Sequence, residues 1–191
     1  MGKIFTLTMV TLDGVIQAPA GVDEDSRDGF KHGGWAVPYA AMESVSEGMA
    51  TTGAMLFGRQ TYEGFYNFWP KQTDDNPFTG FLNNIPKYVA SMTLKEALPW
   101  QNSTLLKGDI GDAVAKLKQD VDKDILILGS GVLIQSLMRH NLIDEYTLLI
   151  HPIVLGTGRK LFADDGALVT LNLVDSKMTS KGVIIATYQP A

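Results

Sequence analysis

The sequence predicts an α/β protein built on one mostly parallel sheet with an antiparallel C-terminal edge, and three observations predict it. Strand-like and helix-like segments alternate as far as about Asn141, after which strands dominate. Asp124 to Leu128 (DILIL) is an apolar run bounded by Gly129, as expected of a central parallel strand with both faces covered. Two strands pass through glycine directly into helices, at Gly58 and at Gly129-Ser130-Gly131.

Ile4 to Val10 reads as the first strand, rich in β-branched and aromatic residues, and Leu12-Asp13-Gly14 ends it in a turn. Gln17 to Gly34 carries Gly, Asp and Pro and reads as a long loop of the kind that serves as a lid. Pro38 suits the first turn of a helix with Met42, Val45 and Met49 at helical spacing, ending near Gly53. Ala54 to Phe57 is a short buried strand, Thr61 to Phe68 a helix, and Pro70 to Pro77 a loop. Lys87 to Ala90 and Thr104 to Leu106 read as strands, and Asp109 caps a helix with Ala113, Val114 and Leu117 inward. A helix with Leu133, Ile134, Leu137 and Met138 follows Gly131. Glu145 to Ile150, Leu168 to Asp175 and Val183 to Tyr188 are the closing strands, the last two joined by a turn at Lys181-Gly182. No repeat or linker divides the chain, so residues 1–191 are expected to form one domain.

Composition narrows the function. Apolar residues make up 45% of the 191, enough for a core and against disorder. A net charge of -5 with 16 Lys+Arg and no basic run argues against a nucleic-acid partner. No apolar run approaches membrane-spanning length, and the N-terminus lacks signal-peptide features, so a cytoplasmic protein with no membrane partner is expected. The absence of cysteine removes thiolate chemistry and disulfides. His32, His140 and His151 lack metal-ligand spacing, and no metal site is expected.

Two motifs carry chemistry. In Leu56-Phe57-Gly58-Arg59-Gln60-Thr61-Tyr62 a strand gives way to a helix start, where backbone N–H groups and the helix dipole favour an anion and Arg59 adds a forked donor. A plain helix start with a surface arginine accounts for the same residues. In Ile127-Leu128-Gly129-Ser130-Gly131-Val132-Leu133 glycine allows close approach of a ligand, or simply tight strand–helix packing. Both turns fall at the carboxyl edge of a parallel sheet, so one extended diphosphate could span them.

The chain resembles the reductase domain of the riboflavin-biosynthesis deaminase-reductase family. The matching pieces are Thr11-Leu12-Asp13-Gly14-Val15-Ile16, the LFGRQTYEGF segment, Lys87 to Ser91, the DILILGSG turn, Leu142 to Glu145 and Pro152 to Phe162, in the family's order. The resemblance implies a dihydrofolate-reductase-like three-layer α/β/α fold, NADPH as hydride donor, and a homodimer. It implies that Gly58, Arg59, Gln60 and Thr61 meet the adenosine-side phosphates and Ser91 the 2′-phosphate end. It assigns the diphosphate to Gly129, Ser130, Gly131, Val132 and Leu133, and the nicotinamide to Met9, Val10 and Ile16. Ser130 stands where the family usually has a second glycine. The implied reaction is hydride transfer to a C=N or C=O bond of a small heterocyclic or sugar-like substrate, as in 5-amino-6-(5-phosphoribosylamino)uracil reductase domains.

Candidate proton donors are Asp13 and Glu43, although Asp13 also suits fixing its own turn. The substrate pocket is expected between the first helix, the 17–34 loop and the 156–162 loop. Trp35 reads either as a core anchor or as a flap, Phe65, Tyr66, Phe68 and Trp69 as a packed helix end, and Asp144-Glu145 as a polar cap. Two rival functions are a dihydrofolate reductase proper and a non-catalytic nucleotide-binding dimeric module. A dihydrofolate reductase carries a pterin-binding carboxylate on its first helix. Counting back from Gly58-Arg59 puts that position on Met42, with Glu43 about 100° around the helix, so this rival is not expected.

Overall fold

A computed structural model describes residues 2–39, 49–73, 76–95, 97–162 and 168–191. Eight strands form one sheet: β1 (Ile4–Thr11), β2 (Thr52–Gly58), β3 (Lys87–Ala90), β4 (Ser103–Leu106), β5 (Asp124–Leu128), β6 (Glu145–His151), β7 (Leu171–Met178) and β8 (Ile184–Pro190). Their order is β4-β3-β2-β5-β1-β6-β8-β7. Pairs from β4 through β6 are parallel, and β8 is antiparallel to both β6 and β7. Four helices accompany the sheet among the described residues: α1 (Arg59–Phe68), α2 (Pro77–Asn84), α3 (Ile110–Asp120) and α4 (Gly131–Arg139).

Strand alternation sorts the core into two faces. Ile4, Leu56, Ile125 and Ile127 point to one side, where Val114 and Leu117 of α3 and Leu133, Ile134 and Leu137 of α4 cover them. Phe5, Leu7, Phe57, Leu126 and Leu128 point to the other, against Tyr62 of α1, Leu82 of α2 and Trp100. The result is the expected three-layer arrangement with a mixed, mostly parallel sheet.

Several boundaries differ from expectation. Pro77–Asn84 is a helix, where the sequence suggested only a loop ending at Pro77. Asn76 caps it through its side chain, which accepts from Phe78 N, and Pro77 fills the first turn where its missing N–H costs nothing. β7 begins at Leu171 rather than Leu168 and runs on to Met178. Of the expected helix after Pro38, positions 40–48 lie outside the described residues, and Val37–Tyr39 forms a 3-10 turn. Trp35 is a core anchor: it is buried and its indole N–H donates to Gln17 O at 2.7 Å.

Lys87 at the start of β3 is buried, which no sequence pattern marks. Its ammonium donates to the carbonyls of Ile85 (2.8 Å), Gln101 (3.2 Å) and Asn83 (3.3 Å), and lies 4.5 Å from the centre of the Trp100 ring. These contacts tie the α2–β3 junction to the segment before β4. Burial holds the ammonium down to about 8, against an ordinary 10.5. Replacing it with methionine leaves carbonyls without this donor, at a cost of about 2–4 kcal/mol in urea unfolding at neutral pH. The folded pKa lies below the unfolded one. Between pH 8 and 10.5 the unfolded chain therefore binds more protons, and stability rises with pH. Unfolding at pH 7.5 and pH 9.5 is expected to show the wild type gaining stability relative to Lys87→Met as pH rises.

Candidate active site

All strands from β4 to β6 run the same way, so their carboxyl ends meet at one edge, the usual place for a ligand crevice in an open α/β sheet. A cleft of about 1980 Å³ opens there. It is lined by Met9 at the end of β1, Gly58 to Thr61 after β2, Ala90 to Met92 after β3 and Leu128 to Leu133 after β5. Gln17 to Arg27 and Gly158 to Lys160 close its far side.

Helices α1 and α4 begin at this edge, and neither has a side-chain cap on its first turn. Gly129 and Ser130 both adopt left-handed backbone, with φ of 68° and 64°. That conformation is easy for glycine and costly for serine. Ser130 compensates through its side chain. Its Oγ accepts from Gly58 N at 2.8 Å and donates to Thr61 Oγ1 at 2.7 Å, latching the β5–α4 turn to the β2–α1 turn. Ser130 is thus a bridge between the two turns, which adjacency in sequence does not reveal.

The cleft brings together most of the predicted cofactor residues. Arg59 and Gln60 are exposed at its rim and Thr61 is half-buried. Ser91 lines it, with Oγ accepting from Thr93 N (3.2 Å) and Leu94 N (3.0 Å). Gly129, Ser130, Gly131, Val132 and Leu133 line it, as do Met9 and Ile16. The Ile16 side chain lies so close to Gly131 that a Cβ there would stand 2.6 Å from Ile16 Cδ1.

Two candidates need correction. Val10 does not line the cleft: on the alternating strand it faces opposite to Met9 and is buried in the core under α4. Asp13 does not line it either. Its carboxylate accepts from Thr11 Oγ1 (2.6 Å), Gly156 N (2.7 Å) and Leu155 N (3.2 Å). The Thr11 hydroxyl, with the two backbone donors, lowers it to about 2. Asp13 is an ionised staple between the β1 turn and the 155–156 loop, with no proton to give near neutral pH. Glu43 and Met42 lie outside the described residues.

Sequence reasoning also missed Gln17. Its Nε2 donates to Arg27 O (3.1 Å) and Asp25 O (3.3 Å), and its Oε1 accepts from Arg159 N (3.0 Å). One amide thereby holds the long loop against the 158–160 segment. The expected helix-end aromatics do pack together, with Trp69 edge-on to Phe68 and Phe78 at 5.1 Å. Phe65, Phe68 and Trp69 also line the cleft, which their packing role alone did not suggest. Asp144 and Glu145 are structural: Asp144 accepts from Ile4 N (2.7 Å) and Lys118 Nζ (2.6 Å), and Glu145 from Lys3 Nζ (3.2 Å).

Fold and cleft together define an α/β domain with its ligand crevice at the carboxyl edge of the sheet. Residues 3–185 match the RibD C-terminal domain, and the chain belongs to that family. It is 30% identical to the uncharacterized protein YyaP of Bacillus subtilis (strain 168) over 183 residues, 94% of this chain and 90% of that one. A protein from Shewanella sp. PV-4 assigned to riboflavin biosynthesis has the same fold, with a TM-score of 0.71 at 23% identity, covering 100% and 99% of the two chains. So does Enterococcus faecalis dihydrofolate reductase complexed with NADP(H), with a TM-score of 0.64 at 15% identity over 99% and 96%.

The Ser130 latch gives an ordered stability series. Ser130→Ala loses both side-chain hydrogen bonds and keeps the left-handed strain, for a loss of about 1–3 kcal/mol. Ser130→Gly loses the same bonds but sheds the strain, and is expected to be about 1 kcal/mol more stable than the alanine variant. Thermal unfolding of the three proteins checks the order wild type, glycine, alanine.

Proposed function

We propose that this chain is an NADPH-dependent reductase that delivers hydride to a C=N or C=O bond of a small heterocyclic or sugar-like substrate. One observation carries this reading: two helix N-termini without side-chain caps, latched together by Ser130, face one cleft with Met9 and Ile16 along it. Membership of a family of reductase domains, and a shared fold with an NADP(H)-complexed reductase, support it.

The residues fit such a cofactor. The left-handed turn at Gly129 and Ser130 leaves the first peptide N–H groups of α4 to a diphosphate, held from the other side by the start of α1. Arg59, Gln60 and Thr61 would take the adenosine-side phosphates and Ser91 the 2′-phosphate end. Met9 and Ile16 would wall the nicotinamide and keep water from it. When bound, the cofactor supplies the hydride, and the protein supplies position and exclusion of solvent. We do not assign proton delivery to Asp13, which lies off the cleft lining and whose carboxylate is held low by the Thr11 hydroxyl and two backbone donors. We place the protein in the cytoplasm, in keeping with the cofactor and the absence of cysteine. None of its described helices is long and apolar enough to cross a membrane.

A homodimer formed through the C-terminal edge is part of the same proposal. β7 ends the sheet and exposes Leu173, Val174 and Met178, an apolar edge of the sort proteins usually cover. Light scattering is expected to give twice 20.8 kDa at micromolar concentration, and Val174→Lys to shift it to the single-chain mass.

The cofactor test is calorimetric. NADPH is expected to bind more tightly than NADH by about ten- to a hundredfold, the value of charge-assisted contacts to one phosphate, and Arg59→Ala to remove most of that preference. Equal affinities in the wild type would overturn the assignment. NADPH oxidation with a panel of imines and carbonyls then separates a working reductase from a binding module.

A further inference from the structure

We propose that the substrate half of the cleft accepts an uncharged, planar heteroaromatic ring laid against the backbone of α1 at Gly64, and not a phosphorylated sugar derivative. The proposal rests on the reductase reading and names the substrate class of that same site.

Gly64 is the first observation. It lies inside α1, where glycine destabilises a helix relative to alanine. The other cleft-lining helical glycine, Gly131, has a packing reason, since a Cβ there would crowd Ile16. Among the described residues, a Cβ added at Gly64 meets nothing within 4 Å, and Gly64 has no left-handed backbone to excuse it. Neither packing against the described residues nor backbone conformation explains this glycine. It leaves a bare patch of helix on the cleft wall, where a flat ring can approach closely.

The neighbours of that patch are the second observation. Phe65, Phe68, Trp69 and Phe78 line the cleft beside it, and Val22 lines it from the long loop. Phe68 is 54% exposed and Val22 76%, so both keep much of their surface for a ligand. Edge-to-face contacts hold the Phe68, Trp69 and Phe78 rings at fixed angles to one another. A wall of this kind favours stacking with an aromatic ligand.

Charge is the third. The arginines on this side are already engaged: Arg27 pairs with Asp25, and Arg159 with Asp28 at 2.7 Å. The backbone of Lys160 runs beside Gly131, on the cofactor side, with its carbonyl 3.7 Å from the position of an added Cβ, and Lys160 is an exposed cation of the cleft lining. Asp23, Glu24, Asp25 and Asp28 outnumber Arg27 along residues 23–28. The positions outside the described residues (1, 40–48, 74–75, 96 and 163–167) include no Lys, Arg or His, so none of them supplies a cationic side chain to a phosphate. A phosphate entering here would meet carboxylates and already-paired arginines.

The probe is quinoxaline, an uncharged fused heteroaromatic, read by quenching of tryptophan fluorescence. Saturable quenching is expected in the wild type and its loss in Trp69→Phe. Gly64→Leu is expected to weaken binding by about tenfold or more by filling the patch. Gly64→Ala is expected to raise the Tm while also weakening binding, which separates occlusion of the site from damage to the fold. Ribose 5-phosphate at millimolar concentration is expected neither to quench nor to displace quinoxaline. Failure of quinoxaline to bind, undiminished binding in Gly64→Leu, or competition by ribose 5-phosphate would each overturn the proposal. A parallel calorimetric titration of the wild type with NADP⁺ judges the cofactor reading separately. Its failure would remove that reading and leave the quinoxaline result to decide the ring site.

Discussion

β5 is hydrogen-bonded on both edges, to β2 and to β1, and the cleft depends on that insertion. The chain leaves β1, builds β2, β3 and β4 outward, and then returns to place β5 between β2 and β1. Two glycine-bearing turns far apart in sequence, at 58 and at 129–131, thereby become neighbours. Without β5 between β1 and β2 they would begin two unrelated helices. With it, they form one edge, and the Ser130 hydroxyl can reach both Gly58 N and Thr61 Oγ1. The apolar Ile125 to Leu128 is what that position demands, because helices cover the strand on both faces.

The opposite wall of the cleft depends on polar side chains instead. Residues 17–34 have little regular structure and a small core of their own around Val15, Phe30, Trp35 and Ala36. Asp13 holds the 155–156 backbone, Gln17 joins Asp25 and Arg27 to Arg159, and Trp35 bonds back to Gln17 O. A carboxylate well placed in sequence to deliver a proton is thus committed to architecture. Ionisation favours its three acceptor contacts, and those contacts in turn keep it ionised.

Legibility in the sequence followed the range of the interaction. β3 and β5 were read to the residue, because Lys87 to Ala90 and Asp124 to Leu128 are bounded by local turn signals. The cap at Asp109 was legible for the same reason. Helix α2 was missed because Pro77 and Gly80 look like loop residues unless the Asn76 cap is recognised. Val10 was misplaced by one step of a period-two strand, enough to move a side chain from cleft to core. Lys87, Gln17 and the Ser130 bridge were invisible for a different reason. Their partners lie up to 142 residues away or are backbone carbonyls, which no sequence pattern marks.

Two residues that break local rules line the cleft. Ser130 takes a backbone conformation suited to glycine, and Gly64 occupies a helix position suited to alanine. A sequence selected for stability alone would place alanine at 64. At 130 the serine side chain more than offsets its strain by joining two turns, so the departure carries its own compensation. At 64 nothing among the described residues compensates, and the open space beside the glycine belongs to whatever enters the cleft. That asymmetry distinguishes a position that organises the binding edge from one that leaves room for a ligand, and it makes the face of α1 around Gly64 the part of the cleft most directly shaped by substrate.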